Sequence, residues 1–210
     1  MDTPEHQTVR SALAPWNKGK LIGQKPPLKR HEVWAVRIQL QMLHRTRDLA
    51  LFNLAIDSKL CSCDLVRIRM ADVAHSGRVL SRATVLQQKT KLPVRFELTE
   101  QTRGSVQTWI AAKGLHATDY LFPSRRGRQR HISTRQYARI VDSWVSLIGL
   151  DHHEYRTHSL RRTKATLIYR RTKNLRAVQL LLGHTKLEST LRYLGIEVEN
   201  ALELAEQTAI

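Results

Sequence analysis

The hydrophobic pattern of the chain alternates like a β-strand in one region, and this limits the folds that are possible. Residues 78–87 and 93–99 show the alternation, and the polar stretch 88–91 between them is typical of a turn. The other patterned segments place apolar residues at helical spacing, beginning with Val33 and Val36. The sequence therefore predicts a mainly α-helical domain with one small antiparallel β-sheet, an α+β fold.

Helical segments are predicted on both sides of this hairpin. Thr46, Ser133 and Thr185 are the expected N-terminal caps, and Gly195 is typical of a C-terminal stop. The predicted helices cover residues 29–43, 46–56, 64–69, 100–113, 133–148, 158–170, 174–182 and 186–194, and a last amphipathic helix includes Val198, Leu202 and Ala205.

Two regions of different composition follow one another along the chain. Residues 1–28 are rich in Pro, Gly and Lys and are predicted to form a flexible basic arm. This arm has two interpretations, a tail that tracks DNA and a disordered leader. Residues 29–210 form one predicted domain, which is long enough to bury a hydrophobic core.

The charge balance indicates a polyanionic partner. The chain has 35 Lys and Arg against 18 Asp and Glu, a net charge of +17. Nucleic acid is the common partner of such a protein, although charge alone assigns no activity. Cys61 and Cys63 are too few for a disulfide framework or a four-cysteine zinc site. No apolar run is long enough for a membrane span, so a cytoplasmic, nucleoid-associated protein is expected.

A short series of motifs near the C-terminus carries the chemistry. His158 and Arg161 are three residues apart and share one face of a predicted helix. His184 follows 23 residues after Arg161, and Tyr193 follows nine residues after His184. A guanidinium grips phosphate oxygens, imidazoles move protons, and a phenol can become a covalent attachment point. These residue types together predict attack on a phosphodiester by Tyr193.

In these motifs the chain resembles the tyrosine recombinase (phage integrase) family. The residues that carry the resemblance are Thr157-His-Ser-Leu-Arg-Arg162, Leu181-Leu-Gly-His184 and Ser189-Thr-Leu-Arg-Tyr193. It extends from about residue 29 to the C-terminus and implies the catalytic-domain fold of that family. It also implies a layout like the short members, which lack the separate N-terminal DNA-clamp domain.

The resemblance implies an activity and its partners. The expected activity is site-specific breakage and rejoining of double-stranded DNA through a 3′-phosphotyrosyl intermediate, without metal or other cofactor. Members of the family act as tetramers on two DNA sites, so a homo-oligomer on DNA is expected here. Tyr193 is implied as the nucleophile and Arg161 as the residue that neutralises the phosphate. His158 is implied as the proton acceptor and His184 as a donor to a phosphate oxygen.

Two further positions of the family pattern fall on Lys89 and Cys61. Lys89 lies in the predicted hairpin turn, where the family has a lysine that protonates the leaving 5′ oxygen; Lys91 is the alternative. Cys61 lies eleven residues before Asp72, where the family has its first catalytic arginine, on the helix before the sheet. A thiol is mostly neutral at pH 7 and cannot clamp a phosphate, so reduced activity is expected. Arg67 lies too far round the predicted helix to substitute.

A basic stretch supplies the remaining predicted DNA contacts. The run of residues 125–130 is predicted to be an exposed loop that binds phosphates, or a solvated charged loop without that role. The predicted DNA-binding residues are Arg125, Arg126, Arg128, Arg130, Arg162 and Lys164. Two functions remain open on the sequence, an active recombinase and a DNA-binding regulator or accessory subunit that has the recombinase fold without turnover.

Overall fold

The structure, a computed structural model, describes residues 24–125 and 127–195, except for the side chain of residue 128. In this part of the chain the helices are α1 Arg30–Met42, α2 Thr46–Ser58, α3 Ser62–Leu65, α4 Met70–Val73, α5 Glu100–Lys113, α6 Thr134–Leu147, α7 Thr157–Thr172, α8 Leu175–Leu182 and α9 Leu187–Leu194. The strands are β1 Ala74–His75, β2 Arg78–Val79, β3 Arg82–Leu86, β4 Pro93–Glu97, β5 Pro123–Ser124 and β6 Gly127–His131. The predicted mainly helical fold with antiparallel pairing is confirmed.

The strands form three two-stranded antiparallel sheets in the described residues, where one sheet was predicted. The predicted strand over 78–87 is divided, because β2 pairs with β1 while β3 pairs with β4. The β3–β4 hairpin places Ala83 opposite Phe96, and both side chains are buried. The predicted turn at residues 88–91 joins these two strands.

Several local predictions differ from the structure. The prediction of a helix over 64–69 is mostly wrong, since α3 ends at Leu65, residues 66–69 are not helical and α4 begins at Met70. Thr46 is the first residue of α2 rather than its cap, and Lys186 rather than Thr185 precedes α9. Ser133 accepts a hydrogen bond from the Gln136 backbone, and Gly195 ends α9 with a φ of 69°, as expected. The predicted helix containing Val198 lies outside the described residues.

The main core surrounds α2, which is buried along most of its length. Phe52 of α2 meets Trp144 of α6 edge to face, with ring centroids 5.5 Å apart. A second, smaller cluster of Ala165, Val178 and Leu182 joins α7 to α8, and Tyr193 packs against it. The helix that carries Tyr193 is therefore held by a small satellite cluster rather than by the main core.

Candidate active site

The six predicted catalytic residues line one cavity. Its volume is about 290 Å³, and it lies between the β3–β4 turn, the start of α3, the first turns of α7 and the loop from α8 to α9. The predicted residues in its wall are Cys61, Lys89, His158, Arg161, His184 and Tyr193. Segments that are far apart in the sequence thus bring one phenol, two imidazoles, one guanidinium, one ammonium and one thiol together.

Arg161 lies in the wall of this cavity and is only 5% exposed. Its Nη2 donates to the carbonyl oxygen of Leu182 at 3.0 Å and lies 3.5 Å from Nε2 of His184. Its Nη1 contacts the sulfur of Cys61. The guanidinium is therefore held in place by protein groups, which fixes a positive charge in the wall of the cavity.

His184 is held by α9 and is neutral at pH 7. Its Nδ1 lies 3.0 Å from Oγ1 of the buried Thr190, and its backbone carbonyl accepts from Gln179 at 3.1 Å. Burial and the nearby Arg161 lower the pKa of His184 to about 4. His158 is more exposed, and its pKa is also lowered, by desolvation and then by Arg161, Lys89 and Arg162.

The lowered pKa of His184 predicts a stability effect with a definite sign. Its value of about 4 in the folded state is below the unfolded value of about 6.5, so the unfolded chain binds the extra proton as the pH falls. Stability is therefore lost between about pH 6.5 and pH 4. Between pH 7 and pH 5, we expect the free energy of unfolding to fall by about 1 kcal/mol more in the native chain than in His184→Gln. This value allows for the partial exposure of the ring.

Urea unfolding at the two pH values measures this difference. His116→Gln, at an exposed histidine outside the cavity, is the matched control and should follow the native chain. Equal losses in the native chain and in His184→Gln would show that the imidazole of His184 titrates normally.

Tyr193 lies inside the cavity wall with its hydroxyl oxygen buried. The ring centroid of Tyr193 is 5.4 Å from that of His184. The guanidinium carbons of Arg161 and Arg162 lie 5.7 Å and 5.6 Å from the Tyr193 centroid. No hydrogen bond of normal geometry reaches the hydroxyl oxygen among the described residues, although the Arg161 side chain lies close enough to act on it. Burial raises the pKa of Tyr193, and the two arginines only partly oppose that rise. The phenol is therefore protonated and withdrawn from solvent in this structure.

Cys61 lies before α3 rather than on it, which corrects the expected helical placement. Its backbone is extended, with φ −63° and ψ 152°, and its sulfur contacts Arg161. The helical rotation that separates Arg67 from Cys61 therefore does not apply, but Arg67 does not line the cavity in any case. Lys59 is fully buried and donates to Glu97 at 3.1 Å, so it points elsewhere, as expected.

The structure also distinguishes the two candidate lysines and adds side chains that the sequence did not indicate. Lys89 lines the cavity and Lys91 does not.

Asp64 accepts a hydrogen bond from the Gln88 backbone at 2.8 Å and thereby fixes the turn that carries Lys89. Gln87 donates to the carbonyl oxygen of Leu182 at 3.2 Å and so joins the same turn to α8. These links could not be predicted, because they join distant segments without a motif.

The predicted basic loop is largely a strand. Residues 127–131 form β6, which pairs with β5. Arg125 and Arg130 are exposed and, with Arg47 and His131, line a second cavity of about 550 Å³. Arg126 and the side chain of Arg128 lie outside the described residues.

Arg162 and Lys164 are placed where they cannot present a free cation. Arg162 is buried, and its Nη1 donates to the carbonyl oxygen of Lys25 at 2.7 Å. Lys164 forms ion pairs of 2.6 Å with both Asp57 and Glu97. Both side chains are engaged by groups of the protein in this structure, although Lys164 stays partly exposed, and their DNA-binding role remains a prediction.

The ion pair between Lys164 and Asp57 predicts a loss of stability on mutation. Burial alone would raise the pKa of Asp57. The charge of Lys164 and the hydrogen bonds that Asp57 accepts hold that pKa below its usual range. Lys164→Ala leaves this buried carboxylate without its cation and is expected to cost about 3 kcal/mol of unfolding free energy. Urea unfolding at pH 7 measures it, with the exposed Lys186→Ala as control. A loss below about 0.5 kcal/mol would contradict the structural role.

One group of three metal-ligating side chains is present among the described residues. Ligand atoms of Asp151, His152 and His153 lie within 4.8 Å of one another in the turn between α6 and α7. None of the three lines the cavity that contains Tyr193.

Comparison with known proteins assigns the family. The model of the phage integrase family matches residues 36–199. The chain belongs to that family. It is 30% identical over 151 residues to a probable integrase/recombinase YoeC of Bacillus subtilis, which covers 72% of this chain and 78% of that protein. It is 29% identical over 163 residues to the tyrosine recombinase XerC of Corynebacterium efficiens, which covers 77% of this chain and half of the XerC chain.

Solved structures show the same fold for this phage integrase family member. The XerA recombinase superposes with a TM-score of 0.71 at 19% identity, covering 90% of this chain and 66% of XerA. XerH bound to its difH substrate gives a TM-score of 0.68 at 19% identity, covering 87% of this chain and 55% of XerH. The fold is therefore that of a tyrosine recombinase catalytic domain. Within the described residues, the helices are too short or too polar to cross a membrane.

Proposed function

We propose that this chain is a site-specific DNA recombinase that breaks and rejoins double-stranded DNA through Tyr193. The observation that carries the proposal is the shared cavity, in which Tyr193, Arg161, His158, His184 and Lys89 converge. Family membership supports the same class of activity. The XerH complex supports DNA as the partner, because that related fold is bound to its difH substrate.

In the proposed reaction the hydroxyl oxygen of Tyr193 attacks the phosphorus of one DNA phosphodiester. A Tyr–O–P bond forms and the bond from phosphorus to the 5′ oxygen breaks. His158 accepts the phenol proton in its neutral form, and Lys89 protonates the leaving 5′ oxygen. One phosphodiester replaces another, so the reverse attack by a 5′ hydroxyl rejoins the strand.

Stabilisation of the phosphate falls to Arg161 and His184 in this scheme. Arg161 supplies a fixed positive charge, and His184 donates from Nε2 while its Nδ1 accepts from Thr190. Cys61, beside Arg161, supplies no charge at the position where the family pattern has an arginine. We therefore propose that the native chain cleaves DNA slowly, because half of the expected guanidinium clamp is missing.

The test is recovery of DNA that is covalently attached to the protein. Native chain and Cys61→Arg are incubated with a library of nicked duplexes, denatured and washed, and the attached DNA is sequenced. The proposal expects adducts through a Tyr193 peptide, identified by mass spectrometry, in Cys61→Arg and fewer in the native chain. Absence of adducts from both proteins, with DNA binding retained, would contradict the enzymatic proposal.

The second candidate is a DNA-binding regulator with the recombinase fold and no turnover. Cys61 at the position of an expected arginine favours it, as does the buried hydroxyl of Tyr193. This candidate expects salt-sensitive DNA binding without covalent adducts from either protein. The same experiment therefore separates the two functions.

The expected assembly and location follow from the same proposal. Two DNA sites held side by side require several protomers, and a tetramer on DNA is the proposed form. The net charge of +17 supports association with the nucleoid in a bacterial cytoplasm.

The exposed arginines at the second cavity predict a salt effect on DNA binding. Each phosphate contact contributes about 0.9 to the slope of log affinity against log salt. Replacing Arg125 and Arg130 together with alanine is expected to lower the magnitude of that slope by about 2, with little change in sequence preference. Titration at several salt concentrations measures it. Arg78→Ala, at an exposed arginine that lines neither cavity, is the control, and an unchanged slope in the double variant would exclude the contact.

A further inference from the structure

The segment of residues 24–28, here called the N-terminal strap, ties three separate parts of the fold together. Gln24 donates to the carbonyl oxygen of Arg192 in the last turn of α9. Lys25 donates to the carbonyl oxygen of His153 at 2.7 Å, in the turn before α7. The far end of the strap is fixed, because Leu28 is buried in the main core. The strap therefore bridges the main core and the helix that carries the proposed nucleophile.

The attachment of the strap to α7 is made by Thr163 and Arg162. The backbone N–H of Leu28 donates to Oγ1 of the fully buried Thr163 at 3.0 Å. Arg162 donates from Nη1 to the carbonyl oxygen of Lys25 at 2.7 Å, and its guanidinium carbon lies 5.6 Å from the ring centroid of Tyr193. Arg162 thus donates to the strap and also lies over the phenol ring.

The contacts of the N-terminal strap hold the phenol of Tyr193 in a position withdrawn from solvent. The hydroxyl oxygen of Tyr193 is buried, and no described residue makes a hydrogen bond of normal geometry to it. A phosphate enters the cavity from solvent, so α9 must shift before the hydroxyl can reach phosphorus. Such a shift can leave the main core intact, because α9 packs on the small cluster of Ala165, Val178 and Leu182 and is tied to His184 through Thr190. The hydrogen bond from Gln24 to Arg192 is then one of the contacts that resist it.

We infer that the N-terminal strap is a positioning device that holds Tyr193 back, and that Gln24 and Arg162 are its positioning residues. Release of Gln24 from Arg192 lets α9 move and lets the phenol reach the phosphate. The inference rests on the proposed function for its kinetic consequence, whereas the restraint on α9 can be measured without DNA cleavage. It also explains why Arg162, beside Arg161 in the sequence, is buried rather than available to DNA.

The test compares Gln24→Ala and Gln24→Glu with their parent, in a chain that carries Cys61→Arg. Both variants remove the N–H donor, and the glutamate keeps the shape of the side chain. Loss of one hydrogen bond that must break before attack is expected to raise the rate of covalent attachment about two- to tenfold. Gln41→Ala, at an exposed glutamine of α1, is the matched control and should leave the rate unchanged.

Hydrogen exchange of the α9 backbone amides supplies the second measurement. Exchange at residues 191–195 is expected to become faster by a similar factor in both Gln24 variants and to stay unchanged in Gln41→Ala. A purely structural strap would give faster exchange with slower or equal attachment, and that combination would overturn the inference. Unchanged exchange would overturn it as well. If no variant forms adducts, the proposed function fails, and the exchange data alone then decide whether the strap restrains α9.

Discussion

Replacing Cys61 with arginine is expected to raise the rate of covalent DNA attachment to Tyr193 by about 10²–10³-fold. The sulfur of Cys61 already contacts the guanidinium of Arg161 in the wall of the cavity. An arginine at this position would place a second guanidinium beside the same phosphate, where charge develops during attack. Preorganised donors of this kind contribute most when solvent is excluded, and Arg161 is only 5% exposed.

The controls for this prediction separate charge from shape. Cys61→Ala should gain nothing, and Cys61→Lys should gain less than arginine because an ammonium cannot grip two phosphate oxygens in a fork. Cys63→Arg adds the same charge two residues away, outside the cavity, and should leave the attachment rate near its native value. Rates are measured as the fraction of nicked duplex that stays attached after denaturation.

Chemical modification gives the same test within one protein preparation. The chain has two cysteines, so Cys63→Ser leaves Cys61 as the single thiol. Alkylation of that thiol with 2-bromoethylamine forms a carbon–sulfur bond with loss of bromide and the thiol proton, and it places an ammonium in the cavity. Attachment should then become faster without any further substitution. A native chain that attaches DNA as fast as Cys61→Arg would exclude the interpretation of Cys61 as a deficiency.

The convergence of His158, Arg161, His184 and Tyr193 on one cavity agrees with the sequence motifs, which are short and regularly spaced. His158 and Arg161 share a face of α7, and Gly183 ends α8 directly before His184. Gly183 has a φ of 66°, and a Cβ there would lie 2.4 Å from Val94, so the close approach of α8 to β4 needs glycine. Local spacing was sufficient here, because each motif occupies one turn or one helix end.

The sequence failed where side-chain direction depends on distant partners. Arg162 and Lys164 follow Arg161 in the sequence, but helical rotation brings them to Lys25 and Asp57, which bind them. Neither partner shares a motif with α7, so these contacts of Arg162 and Lys164 could not be predicted from composition. The basic stretch failed for a different reason, since charge alone does not reveal that residues 127–131 pair with β5.

Replacing Tyr193 with phenylalanine is expected to abolish covalent attachment of DNA while leaving the free protein at least as stable. The hydroxyl oxygen is buried and makes no hydrogen bond of normal geometry among the described residues, so its removal costs no well-formed hydrogen bond. The ring contacts with His184, Arg161 and Arg162 remain, since they involve the aromatic face and edge. DNA affinity should therefore stay near that of the parent.

The measurement uses adduct recovery, thermal unfolding and DNA titration on Tyr193→Phe in the Cys61→Arg background. Tyr169→Phe is the matched control, because Tyr169 packs on the same small cluster and lies outside the cavity. Adducts that persist in Tyr193→Phe would assign the nucleophile to another residue. A fall in stability of more than about 1 kcal/mol would mean that the hydroxyl has a partner in solution, since loss of a satisfied buried hydrogen bond costs about that much. Loss of adducts together with unchanged stability and affinity is the result that a withdrawn phenol nucleophile requires.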